Sequence, residues 1–200
     1  VTTIDLSANK TALTVGDKAT ITIALSENST NFALGDLDVV GGTLSDFKGS
    51  GKAYTVVFTP TANSIVAGKV TVAASKYSDA SGNINAVGGV INFTVDTVAP
   101  TITLTPNKTS LKNGETATIT IALSEIATDF VLADLTVVGG TLSSFTGKDK
   151  AYTVLFTPTE NSVVAGKVTV AANKFSDASG NTNAVGDVVN FTVDTVTPTV

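Results

Sequence analysis

The sequence predicts an all-β protein of two tandem antiparallel β-sandwich domains arranged end to end. Three observations carry this. The chain repeats itself with a step of 98 residues, so that Gly16 recurs at Gly114, Asp36 at Asp134, Tyr54 at Tyr152, Pro60 at Pro158 and Asp96 at Asp194. The copies align without a gap, and about seven in ten positions are identical, the mark of an array rather than of one large domain. Apolar residues alternate with polar ones at the period of a half-buried strand, and no stretch sustains a helical period.

The strands follow in order along the first copy. Residues 3–7 open it. Ala19 to Leu25 alternates apolar side chains with threonine inside a strand expected over 18–26. Strands are expected over 32–40 and 43–47, separated by Gly41-Gly42. Tyr54, Val56 and Phe58 share one face of a strand over 52–59, bounded by Pro60. Val70, Val72 and Ala74 define one over 69–76, and Ile91, Phe93 and Val95 one over 89–95. Threonine and valine suit a pleated, half-buried surface. Glycine, proline and Asx clusters such as Asp79-Ala-Ser-Gly-Asn83 supply the turns. Seven short strands in about 100 residues describe an immunoglobulin-like sandwich, with a closed barrel as the alternative. The domains are read as 1–96 and 101–200, joined by a short extended linker at 97–100 in which Pro100 fixes its own φ. The same tie returns at 194–198, and Val1 stands where the second copy has linker, so the chain reads as part of a longer array.

Composition narrows the chemistry. The 200 residues contain no Cys, His, Met or Trp, and all 12 basic residues are lysines. The common zinc, copper and iron ligands are therefore missing, as are the Ser-His-Asp and Cys-His nucleophile systems. A carboxylate pair such as Glu27 and Asp36 remains formally available, but nothing in the sequence gives it a cleft, and the expectation is that the protein is not an enzyme. Net charge is -5 and no basic stripe is visible, which argues against nucleic acid. No apolar run is long enough to insert in a membrane.

The carboxylates are the candidate site. In a seven-strand sandwich the end of the second strand, the following loop and the loop before the last strand meet at one pole. For the second copy that pole gathers Glu125, Asp129, Asp134, Asp177, Asn181, Asn183 and Asp187, and Asp96 arrives from the preceding domain, with no lysine placed among them. Hard oxygen donors in this number suit calcium, which takes six to eight, better than magnesium. The expected calcium ligands are Asp96, Glu125, Asp134 and Asp177, helped by Asn181 and Asn183 or their carbonyls, with Asp129 or Asp187 as further candidates. The matching set in the first copy is Glu27, Asp36, Asp79, Asn83 and Asn85, with Asn31 for Asp129 and Gly89 for Asp187. The competing reading is ordinary turn chemistry, because Asp-x-x-Gly-Asn bonds its own backbone.

Ser-Glu after the second strand, Phe-x-x-x-Asp-Leu, Val-x-Gly-Gly-Thr-Leu, Tyr-Thr-Val-x-Phe-Thr-Pro, Ser-Asp-Ala-Ser-Gly-Asn and Asp-Thr-Val-x-Pro resemble bacterial Ig-like repeats. Such repeats occur in giant secreted adhesins of Gram-negative bacteria, of the RTX and biofilm-associated type. The resemblance implies a calcium-rigidified extender at the cell surface, a monomeric rod whose partners are neighbouring repeats of the same chain. The alternative is a carbohydrate- or ice-binding Ig-like module. Outward Thr20, Thr22, Thr118 and Thr120 are ordinary strand surface, and Tyr54, Phe58 and Tyr77 read as core rather than as a sugar platform. Lys10 and Asn92 are residue types that an isopeptide crosslink would use.

Overall fold

The computed structural model describes residues 2–199. The chain divides into two compact units, Val1–Val98 and Ala99–Val200. In the first, β1 (Ile4–Ala8), β3 (Ala19–Ser29) and β5 (Gly42–Pro60) form one antiparallel sheet. The second sheet has the order β2 (Ala12–Leu13), β7 (Gly89–Val95), β6 (Gly68–Val72), β4 (Leu37–Val40). The second unit repeats this arrangement. One sheet runs β12 (Gly140–Lys148), β13 (Ala151–Pro158), β10 (Ala117–Leu123), β8 (Ile102–Pro106). The other runs β11 (Leu135–Val138), β14 (Gly166–Val170), β15 (Asp187–Asp194), β9 (Ser110–Lys112). Both are immunoglobulin-like sandwiches, as the periodicity predicted.

The alternating residues face inward as expected. Ala19, Ile21, Ile23 and Leu25 of β3, Tyr54, Val56 and Phe58 of β5, and Ile91, Phe93 and Val95 of β7 are buried in one core. Each large side chain contributes about 1.5–3 kcal/mol by leaving water. Phe58 stacks on Phe93 at 4.6 Å, and Phe156 on Phe191 at 4.5 Å. Glycine makes room for that stack. A Cβ on Gly68 would lie 2.6 Å from the Phe58 ring, and one on Gly166 would lie 2.6 Å from Phe156.

Four details depart from the sequence reading. The first strand splits: after β1, the chain crosses to pair β2 parallel with β7, and β9 pairs parallel with β15. Residues 32–40 give only a short strand, because a 3₁₀ turn at Leu34–Asp36 precedes β4 and leaves Phe32 as a buried anchor. The strand expected over 69–76 stops at Val72, since Ser75 takes a φ of 64° and the next amides turn to a side chain described below. The linker also starts later than expected. Thr97 is buried, its hydroxyl donating to the carbonyl of Thr61 at 2.7 Å and accepting the N–H of Ser64 at 3.0 Å. It belongs to the first domain, and Thr195 repeats the latch on Thr159 and Ser162.

Candidate functional site

The acidic loop before the last strand is built around one aspartate in each domain. Asp177 is 3 % exposed. Its Oδ1 accepts the N–H groups of Ser179 at 2.8 Å and Asn181 at 2.9 Å, and its Oδ2 accepts Asn181 Nδ2 at 2.8 Å. Gly180, at a φ of 91°, lets the chain fold back over it. Asp79 repeats the arrangement with Ser81 at 2.8 Å, Asn83 N at 2.9 Å and Asn83 Nδ2 at 2.8 Å. Donors aimed at a carboxylate favour its charged form. The Asn83 side-chain amide above all, then the N–H groups of Asn83 and Ser81, holds Asp79 at about 2 against the opposing effect of burial, and the Glu27 carboxyl also reaches it. Three donors occupy three of the roughly four lone-pair positions of a carboxylate. Each aspartate thus organises its own turn and keeps little oxygen to spare.

Asn85 and Asn183 are fully buried and fully committed. Asn183 Oδ1 accepts from the N–H of Lys174 at 2.7 Å and of Phe175 at 3.1 Å. Its Nδ2 donates to the carbonyls of Ala171 at 2.9 Å and Val185 at 3.3 Å. Asn85 does the same for Lys76, Tyr77, Ala73 and Val87. This is what ends β6 and β14. It also narrows their expected part in a calcium site: a side-chain oxygen that already accepts two hydrogen bonds has little to offer a cation, which leaves only their backbone carbonyls.

The remaining carboxylates have separate local duties. Asp36 and Asp134 cap the 3₁₀ turns, accepting the N–H of Ala33 at 2.9 Å and of Val131 at 2.8 Å. Asp129 accepts from the Ser176 N–H at 2.7 Å and the Ser176 hydroxyl at 3.1 Å, tying the loop after β10 to the acidic loop. Asn31 accepts the Ser78 N–H at 3.0 Å in its place. Asp187 accepts the N–H of Leu104 at 2.7 Å and so blunts the edge of β8. Asp96 accepts the N–H of Val98 at 3.2 Å within the first unit. Glu125 follows β10 and is half-buried, and exposed Glu27 reaches Asp79. A cation that the sequence reading did not place here also arrives: Lys150 Nζ donates to the carbonyl of Ser124, next to Glu125, at 2.8 Å. The hairpin between β12 and β13 brings it in, a contact that no local pattern signals.

As a calcium site, the arrangement fits in part. Glu27 beside Asp79 is the feature that a hard cation would satisfy, since two carboxylates in reach of each other need a proton or a counter-ion. Asp79 and Asp177, Glu27 and Glu125, and the backbone carbonyls around Asn83 and Asn181 are the oxygens left for it.

The rival chemistries find little support in the same fold. Tyr54, Phe58 and Tyr77 are core residues, 5 %, 0 % and 1 % exposed, and present no platform to a sugar. Lys10 pairs with Asp17, while Asn92 faces Lys69 across the ladder, so the crosslink pair is not assembled. A shallow groove of about 390 Å³ lies along Leu111, Lys112, Asn113, Thr192 and Asp194, and no aromatic ring lines it.

The comparisons place this architecture in a family. Residues 1–95 and 96–193 each match the family described as bacterial Ig-like domain, and the chain belongs to it as two tandem copies. No curated protein matches the sequence. Solved structures similar to the chain include FdeC, an adhesin of Escherichia coli, at 14 % identity and a TM-score of 0.48, covering 96 % of this chain and 64 % of that one. They also include the adhesin InvE of Yersinia pseudotuberculosis, at 16 % identity and a TM-score of 0.37, covering 96 % of this chain and 58 % of that one. The chain thus spans less than two thirds of either structure.

Proposed function

We propose that these two domains are extender repeats of a large secreted bacterial surface adhesin of the RTX or biofilm-associated type, non-catalytic spacers that hold a ligand-binding region away from the cell. The observation that carries the reading is the tandem pair itself: two bacterial Ig-like domains, each with a complete core, in near-identical copies one step of 98 residues apart. Duplicating an enzyme site would call for a cleft in each copy. Duplicating a spacer calls only for a core and a seam. Among the described residues no helix is long and apolar enough to cross a membrane.

Calcium rigidification is the second part of the proposal. It rests on the facing carboxylates of Glu27 and Asp79 and on the recurrence of the same residue types at Glu125 and Asp177. Calcium a hundredfold above its Kd would stabilise a domain by about 2.7 kcal/mol. Thermal melts in calcium and in chelator test this, with small-angle scattering on the same samples. A higher melting temperature and a more extended particle in calcium are expected. Superimposable melts would leave Asp79 and Asp177 as turn-forming residues and remove calcium from the proposal, without touching the spacer role.

A further inference from the structure

Four asparagines precede a glycine or a serine, the small followers that let a backbone nitrogen reach the side-chain amide: Asn28-Ser29, Asn63-Ser64, Asn113-Gly114 and Asn161-Ser162. The fold withdraws the nitrogen at three of them. The N–H of Ser64 donates to the Thr97 hydroxyl at 3.0 Å, and that of Ser162 to the Thr195 hydroxyl at 2.9 Å. Ser29 is 4 % exposed and paired with Gly51 in the sheet.

Asn113-Gly114 differs on each count. It forms the centre of a turn closed by the Glu115 N–H on the Lys112 carbonyl at 3.0 Å, with Gly114 at a φ of 76°, as the third position of a type II turn requires. Both residues are exposed. Among the described residues neither the Gly114 N–H nor the Asn113 side chain has a hydrogen bond. Apart from its two chain neighbours, nothing lies within 4 Å of where a Gly114 Cβ would be, so the turn stands clear of the rest of the domain there. The first domain builds the same turn, closed by Asp17 on Thr14 at 3.1 Å with Gly16 at a φ of 81°, but places Val15 where the second has asparagine.

We propose that Asn113 is a site of spontaneous deamidation, the one the fold leaves open. The Gly114 nitrogen attacks Asn113 Cγ. A C–N bond forms, the Cγ–Nδ2 bond breaks, and the amide departs as ammonia, taking up the proton lost from the Gly114 nitrogen. Water then opens the cyclic imide at either carbonyl. One product has aspartate at 113; the other is isoaspartate, with the backbone rerouted through the side-chain carbon. Either way the chain gains one negative charge, on the rim of the groove that Lys112 and Asp194 also line.

The test holds the folded chain and a urea-unfolded sample at mildly alkaline pH and maps both by peptide mass spectrometry with isoaspartate detection. In the folded chain Asn113 is expected to lose its amide while Asn28, Asn63 and Asn161 keep theirs. In the unfolded sample the three Asn-Ser sites begin to convert as well. Asn113→Val, which copies the turn of the first domain, is expected to abolish the acidic species seen on isoelectric focusing. Conversion of Asn63 or Asn161 at the pace of Asn113 in the folded chain would overturn the proposal. So would an Asn113 that stays intact in the folded chain while it converts in the unfolded one.

Discussion

Replacing Tyr77 by phenylalanine removes a hydroxyl that the folded first domain does not satisfy. Tyr77 is 1 % exposed, and its oxygen finds no hydrogen-bond partner among the described residues. The ring itself is well used, meeting Phe32 edge-on at 5.2 Å and 75°. The second domain has already made the change: Phe175 stands at the same place and meets Phe130 at 5.3 Å and 72°. Packing is therefore conserved by the substitution, and the polar atom alone is lost. Burying a hydroxyl without a partner costs about 1–3 kcal/mol, so Tyr77→Phe is expected to stabilise the first domain by about that amount. For a domain of this size each kcal/mol moves the melting temperature by about 4–8 °C. Phe175→Tyr is expected to destabilise the second domain comparably. Urea denaturation and calorimetry of the two variants beside the parent provide the measurement. A neutral or destabilising Tyr77→Phe would refute the argument, because it would mean that the hydroxyl has a partner in solution.

Asn183→Ala strips two acceptor and two donor contacts from the backbone that wraps this buried side chain and should destabilise the second domain by about 3 kcal/mol or more, read as a lower denaturation midpoint at unchanged slope. Asp187→Gly removes the acceptor for the Leu104 N–H and should cost about 1–2 kcal/mol, although Gly89 occupies the same place in the first domain, where Ile4 and Leu6 crowd any Cβ. Tyr77 and Tyr152 should ionise late in an alkaline titration followed by phenolate absorbance. Burial raises both above 10, and the charge of Asp149 adds to the effect on Tyr152. The folded state holds these protons more tightly than the unfolded one. These groups leave stability unchanged by pH below about 10, and stability is lost as pH rises through the folded values. Unfolding in urea should abolish the lag, and Tyr77→Phe should remove one late phenol.

The site was less legible than the fold. Asp79 and Asp177 were found because the strand order gathers their loop with other carboxylates at one pole, and the repeat shows the pattern twice. Their spacing could not show that three of the roughly four lone-pair positions would go to Ser81 and Asn83, or to Ser179 and Asn181. Asn85 and Asn183 looked like ligands because an exposed asparagine and a buried one are written with the same letter. Lys150 reached Ser124 through a hairpin, and nothing local to Glu125 announces it.

What the sequence determined by itself is whatever depends on periodicity and repetition. Alternation in Ala19 to Leu25 and Tyr54 to Phe58 sets which faces are buried, because side chains on a strand alternate by geometry. The step of 98 residues sets two domains, because each copy carries a full complement of core residues. What only the tertiary structure decided is where polar atoms find partners. The β2–β7 pairing, the Thr97 latch, the four bonds of Asn183 and the unhindered nitrogen of Gly114 all join or separate groups distant in the chain or hidden in a turn. Burial is a property of one residue and its period, and a strand pattern can state it. Hydrogen bonding needs two partners at a fixed distance and angle, and only the folded chain brings them together.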